Sequence, residues 1–451
     1  MMAAASALRG VSRRPTRRPG AAMEAALLAL ALVAAGAGAA AQDAIAPAED
    51  DPFAAGAFEA GSGAAGAGLP GTAAAVGAAP AAAEAKTEYL VGGQVAVSAS
   101  AYLDGQFDGY AASSLASGKL FAKVSVPDRG ALFASYSLRQ AFLKALAGDG
   151  PANFGYAESL EEPTLALSEL HYSFDLGKRI FLRLGKQLVA WGPSFVWTPV
   201  DFVNAERADA FSAVDTRAGK SGLKALIPLG SANVLAFADF SGLVEEGEPF
   251  ARDPADALVL AARVDAALGG FEWGLSGSWG AESQAKAGFD FSGYLLGTTL
   301  YGEIAAAPGY SSYEAYVQAA LGFSRALGDL KKWTLSGEGF FNSPGAEYGA
   351  AELLAGYAAK ALKPLYVGRW YAYAALKAED FAFEGHDATL SAIANLSDLS
   401  FQAKLAQDID VKGAPAFTFS IAYYGGGGGK EFTSVGGDGA LEVSLRSKLE
   451  F

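Results

Sequence analysis

Two groups of residues in this chain have the types and spacing to act on something that passes them. The first is Glu169, His171, Asp175, Arg179 and Arg183, spread over two neighbouring amphipathic runs at 164–176 and 178–190. On extended backbone, residues two apart share a face, so these charges would line one polar wall. Such a wall attracts or repels ions; it breaks no bonds. The second group is Trp191, Trp197, Pro199, Asp201 and Asn204. Prolines, tryptophans and an Asp/Asn pair in so short a stretch favour a compact loop with its own contacts, suited to a mouth or constriction. Bond-breaking chemistry has little to draw on. His171 and His386 are the only histidines, so neither a histidine-based triad nor a histidine zinc cluster is expected, and the carboxylates are scattered without an acid/base couple. The chain has no cysteine, which excludes disulfides and thiolate metal sites. The glycines at 425–429 lead into Lys430-Glu431, without the Lys-Ser/Thr of a phosphate loop. No catalytic residue, cofactor or metal is expected.

The first group needs two strands joined by a tight turn. A two-residue turn would set every polar position opposite an apolar one, so the loop must be odd. With Leu176-Gly177-Lys178 as the loop, Asp175 faces Arg179 and His171 faces Arg183, while Phe174 pairs with Ile180, Tyr172 with Leu182 and Leu170 with Leu184. The polar face must be the inner one, because an arginine on a lipid face costs roughly 2–4 kcal/mol at the bilayer midplane. Arg183, deeper than Arg179, is the charge expected to be felt by a passing solute. Lys186 shares parity with Leu184 and requires a bulge near Gly185 or a place among headgroups.

The same alternation recurs from residue 94 to the terminus, where eighteen candidate strands can be marked. The last of them, Leu441 to Phe451, alternates apolar and polar residues and ends on an aromatic residue. Connections after even-numbered strands are short, as at Pro127-Asp128-Arg129, Gly177 and Gly269; those after odd-numbered strands are long at 104–117, 143–163, 191–220, 242–255, 343–364 and 425–439. That asymmetry belongs to outer-membrane barrels with both chain ends in the periplasm. One connection disagrees: Leu396-Ser397-Asp398-Leu399 is tight where a long loop is due, and a count of sixteen would remove the conflict. Aromatic residues near strand ends, among them Trp273, Trp279, Trp333, Trp370, Tyr371, Tyr373, Tyr423 and Tyr424, suit interfacial girdles. The fold expected is all-β: a closed antiparallel transmembrane barrel of about eighteen strands, with sixteen as the alternative.

The flanking segments fit that setting. Residues 1–41 carry five arginines ahead of an apolar run and Ala39-Ala40-Ala41, the layout of a signal peptide, with Met1 or Met23 as the start. Residues 42–87 are rich in Ala, Gly and Pro and read as a periplasmic linker. The barrel is expected over 88–451. Beyond residue 41 the chain holds 29 basic and 47 acidic residues, which argues against nucleic acid as a partner. The partners expected instead are outer-membrane lipid and small solutes.

Gly185, Lys186, Gln187, Trp191, Gly192, Pro199, Asp201 and Asn204 together resemble the G-[R/K]-Q-x-x-x-W-G … P-x-D-x-x-N pattern of alginate-export-like and related porin-type outer-membrane barrels. Gly288 to Gly293 and Leu300-Tyr301-Gly302-Glu303 are also similar to strands in that group. The C-terminal strand with Phe451 resembles the signal by which such barrels are recognised by the assembly machinery. The resemblance implies a monomeric barrel in the outer membrane and, in porin-like members, an aqueous pore for small polar or anionic solutes. The alternative is a surface-exposed structural or adhesin-like barrel whose lumen is closed by the 191–220 loop. The long linker and the acidic balance depart from the family and leave no polysaccharide substrate implied.

Overall fold

The structure, a computed structural model, describes residues 86–104, 110–147, 163–204, 211, 214–244, 253–310, 313–328, 330, 332–359, 361–433 and 439–451. The expected signal peptide and all but the last two linker residues lie outside these. Strands follow one another around a single closed sheet: β1 (Glu88–Asp104), β2 (Tyr110–Val126), β3 (Gly130–Ala147), β4 (Thr164–Leu176), β5 (Ile180–Gln187), β6 (Lys220–Leu229), β7 (Ala232–Asp239), β8 (Val259–Leu268), β9 (Phe271–Gly280), β10 (Ser283–Leu295), β11 (Thr298–Ala307), β12 (Tyr316–Leu327), β13 (Trp333–Asn342), β14 (Trp370–Ala378), β15 (His386–Asn395), β16 (Ser400–Ile409), β17 (Ala416–Gly425) and β18 (Gly439–Glu450). Each pairs antiparallel with its chain neighbours, and β18 returns to β1 from Gln94↔Glu450 to Asp104↔Ala440. Phe451 continues the ladder: its N–H donates to the Gly93 carbonyl at 3.0 Å and its own carbonyl accepts from the Gly93 N–H at 2.7 Å. Closure leaves no open edge, which is what a sheet in lipid requires.

The eighteen-strand reading holds, and Leu396 to Leu399 is a tight turn, with Leu399 at φ 60°, on the rim opposite the chain ends. Connections on the terminal rim are short throughout; on the opposite rim 188–219 (L3), 343–369 (L7) and 426–438 (L9) are long. The loop expected at 104–117 is largely strand instead, because β2 begins at Tyr110. Small residues such as Ala111, Ala112 and Ser113 conceal the alternation there.

Strand parity sorts the side chains. Leu120, Leu165, Leu184, Leu275, Leu321, Leu390 and Leu405 point out and are exposed, whereas Ser135, Glu169, His171, Asp290, Glu303, Glu338 and Asn342 point in and are buried. A barrel apolar outside and polar inside is stable with its outer face in lipid. Trp273, Trp279, Trp333, Trp370 and Tyr423 are exposed on the outside. Tyr371, Tyr373 and Tyr424 do not join that girdle; adjacent residues on a strand take opposite faces, and these three are buried within the barrel.

The β4–β5 hairpin corrects the expected register. Its loop is odd, but it is Gly177-Lys178-Arg179, which sets Leu176 opposite Ile180, Ser173 opposite Arg183 and His171 opposite Gly185. Gly177 and Lys178 take φ of 62° and 57°, and the Arg179 N–H closes on the Leu176 carbonyl at 3.2 Å. Asp175 fixes this turn by accepting from the Lys178 N–H and Nζ, each at 2.9 Å. Asp175 therefore does not face Arg179, and Arg179 lies exposed in the terminal-rim turn, not on the lumen wall. Lys186 keeps outward parity opposite Leu170 and Ser221, one residue from the end of β5, with no bulge in either ladder.

Candidate functional site: a loop folded across the lumen

Where β5 ends, Gln187 is wholly buried, and its Nε2 donates to the carbonyls of Arg183 at 3.2 Å and of Gly222 on β6 at 3.3 Å. L3 leaves from this staple and turns inward at Gly192. Its φ of 93° suits glycine, and a Cβ there would clash with Glu303 Oε1 on β11.

The loop then crosses to the far wall, where two glutamates hold its backbone. Glu303 accepts from the N–H groups of Ser194 at 2.8 Å and Val200 at 3.0 Å. Glu338 on β13 accepts from those of Phe195 at 2.8 Å, Val196 at 3.1 Å and Trp197 at 2.8 Å, and also from the Tyr301 hydroxyl at 3.0 Å. Both carboxyls are buried, so these bonds supply the polar partners that burial otherwise removes. Apolar packing completes the seat. Trp197, fully buried, stacks on Phe340 with ring centroids 5.2 Å apart, and its Nε1 donates to the Leu365 carbonyl of L7 at 2.9 Å. Trp191, Val200, Phe202 and Val203 pack against Phe237, Ala261 and Ala305 on the wall.

Every member of the expected loop group is buried or half-buried here. Pro199 sits in the turn closed by the Asp201 N–H on the Thr198 carbonyl at 3.2 Å. Asp201 and Asn204 brace the loop's base. Asn204 Nδ2 donates to both Asp201 carboxylate oxygens, at 2.9 and 3.0 Å, and to the Val189 carbonyl, while its Oδ1 accepts from the Val189 N–H at 3.3 Å. Arg217 from the returning leg lies 3.9 Å from Asp201 and pairs with Asp215 at 2.8 Å. The motif thus shapes the loop from within.

Across the ring of eighteen, β4 stands nine strands from β13. That opposing wall carries the other expected group. Arg183 donates from Nε to Ser173 Oγ at 3.0 Å and lies beside Lys224 of β6 in the ladder. His171 is buried, stacks on Phe133 at 5.1 Å and lies within electrostatic reach of Arg183, Lys224 and Lys123. Its Nδ1 has no hydrogen-bond partner among the described residues. Glu169, with Ser168 as an extra residue opposite β3, pairs with Lys119 at 3.1 Å and accepts from the Leu188 N–H at 3.2 Å, tying L3's first residue to this wall. The structure therefore brings Glu169, His171 and Arg183 together and leaves Asp175 and Arg179 at the turn.

Glu303 and Glu338 belong to neither residue group that the sequence suggests. Their signal is a short repeat: Thr299-Leu300-Tyr301-Gly302-Glu303 on β11 and Thr334-Leu335-Ser336-Gly337-Glu338 on β13. In each the glutamate has inward parity, where a carboxylate needs partners.

No protein-family profile and no curated protein matches the sequence. Solved structures do. OccK1 (OpdK) of Pseudomonas aeruginosa is similar at 9% identity, covering 80% of this chain and 99% of that one, with a TM-score of 0.50. The structure of Pseudomonas aeruginosa OpdK with vanillate is similar at the same identity, coverage and TM-score. The chain shares their barrel fold. Of the resemblance read from the sequence, the barrel fold is shared with these structures, and they lend no support to its alginate-export part.

Proposed function

We propose that the chain is a porin-like outer-membrane channel for small polar or anionic solutes. The observation that carries this reading is L3 clamped across the barrel by Glu303 and Glu338, opposite a wall bearing Lys119, Lys123, Arg183 and Lys224. In this reading the solute passes between L3 and that wall. The loop narrows the aqueous channel that barrels of this strand number leave, and the cations raise the local concentration of anions. The fold shared with OpdK, whose structure with vanillate is known, is compatible with a small organic anion as cargo. The likeness to alginate-export-like barrels rests on the motif alone and adds no substrate. The linker at 42–87 belongs in the periplasm, and the strand ending in Phe451 is the one offered to the assembly machinery.

The second reading, a structural or adhesin-like barrel with a closed lumen, draws on the apolar packing of L3 against L7 and L9. Planar-bilayer recordings of the purified chain separate the two. A channel gives discrete current steps, and a closed barrel gives none.

A further inference from the structure

Between L3 and the loop rim, the wall formed by β10, β11 and β12 carries a recess that neither sequence group contains. On β11, Ala305 faces Gln318 and Ala307 faces Tyr316 of β12, while on the other side Ala306 faces Ala287, next to Lys286 of β10. The inward Ala305 and Ala307 are buried, so longer side chains from β10 and β12 stand on either side of a row of methyls. A cavity of about 340 Å³ lies there, lined by Ser283, Gln284, Lys286, Tyr313, Tyr316 and Gln318. L3 is its floor: Lys286 Nζ sits 5.9 Å from the centre of the Phe202 ring, and a Cβ on Gly288 would meet Val200 and Phe202. The flanks are fixed. Gln284 Nε2 donates to the carbonyls of Pro308 at 2.8 Å and Glu314 at 2.7 Å, which holds the β11–β12 connection against β10. Tyr310 and Tyr313 exchange backbone hydrogen bonds at 3.0 and 2.8 Å, and the Tyr310 hydroxyl donates to the Ala281 carbonyl at 2.5 Å. Gln318 Nε2 donates to Asn342 Oδ1 of β13 at 2.9 Å. The recess is thus shaped before any solute arrives.

We infer that this recess binds a neutral monosaccharide on the loop-rim side of L3. Charge disfavours the ionic alternatives. Glu282 and Glu314 stand on the two connections beside the recess and Lys286 stands within it, so two negative charges and one positive leave a local balance of −1. An anion is opposed by that balance, and a cation by the Lys286 ammonium. Hydrogen bonding then selects among neutral solutes. The side-chain amides of Gln284 and Gln318 and the hydroxyls of Ser283, Tyr313 and Tyr316 each combine donor and acceptor chemistry, as every sugar hydroxyl does. Gln284, with both amide hydrogens given to backbone carbonyls, contributes its oxygen as an acceptor. The tyrosines present an apolar body with a polar tip, which matches a ring with C–H faces and a hydroxyl edge. The volume stands at the small end of the range for ligand pockets, about 300–1,000 Å³, so the recess takes a single ring and not a chain of them. Binding here needs no current through the barrel. That the bound sugar goes on past L3 rests on the channel reading.

Saturation-transfer NMR on the full chain, in micelles of a detergent without a sugar headgroup, tests the site with D-glucose, D-galactose, D-mannose and D-xylose, and with benzoate beside them. At least one of the sugars is expected to bind at millimolar concentration. Tyr316→Ala is expected to weaken that binding about tenfold, through loss of a hydroxyl partner and a ring face. Folding of the variant is checked by heat-dependent gel mobility, and Tyr313→Ala, a change at an exposed side chain, serves where Tyr316→Ala does not fold. A native chain that binds none of the sugars overturns the site whatever the variants do. Sugar binding that is unchanged in the well-folded variant overturns it too, and benzoate bound more tightly than every sugar, and lost in the same variant, overturns the neutral class. Sugar binding by a chain that never conducts supports the recess and overturns the channel reading instead.

Discussion

Glu338 accepts three consecutive backbone N–H groups and a tyrosine hydroxyl, and no other described residue offers those donors a partner in the structure. Glu338→Ala strands them in a buried site, at about 1–3 kcal/mol for each group left unsatisfied. L3 is then expected to detach while the barrel stays closed. The check is limited proteolysis, which should cut between residues 191 and 204 in the variant and spare the native chain. Equal resistance would mean that apolar packing alone seats the loop. Gly192→Ala should act in the same direction, because it combines an unfavourable φ with a clash on Glu303. Residue roles were partly legible in the sequence. Inward parity marked Glu169, His171 and Arg183, but parity does not say what a glutamate touches, so the grip of Glu303 and Glu338 on a loop more than a hundred residues away in the chain could not be read.

The β4–β5 hairpin shows what an element's sequence does and does not fix. Alternation decided the two faces and required an odd loop, and both follow from the pleat. Which three residues form that loop was decided by Gly177 and Lys178 accepting positive φ and by Asp175 capping the turn, a local choice that alternation cannot see. The shift moves Arg183 from His171 to Ser173 yet leaves it on the lumen wall beside Lys224. Arg183→Glu is therefore still expected to lower anion preference, read as a shift of reversal potential under a salt gradient. An unchanged reversal potential in a well-folded variant would make Arg183 a wall brace only. Arg179→Glu, in the turn, is expected to have the smaller effect. L3 was legible as a compact loop from its prolines and tryptophans, whereas its destination was not, because β13 follows it in the chain by more than a hundred residues.

For the whole molecule, closure through β1 and β18 makes the last strand indispensable: without it two edges face lipid with unpaired N–H and C=O groups. Removing residues 441–451 should leave the chain unassembled, seen as loss of heat-dependent gel mobility; normal insertion would contradict that. Strand number and closure were legible because alternation, loop asymmetry and the terminal aromatic residue agree. The strand at Tyr110 was not, because alanines and serines carry little alternation. In the channel reading, L3 narrows a conducting barrel. The most direct test is single-channel conductance in planar bilayers for the native chain beside one in which residues 191–216 are replaced by a short Gly-Ser linker. Discrete steps are expected from both, larger by several-fold in the shortened chain. Steps of equal size, or a native chain that never conducts, would contradict it.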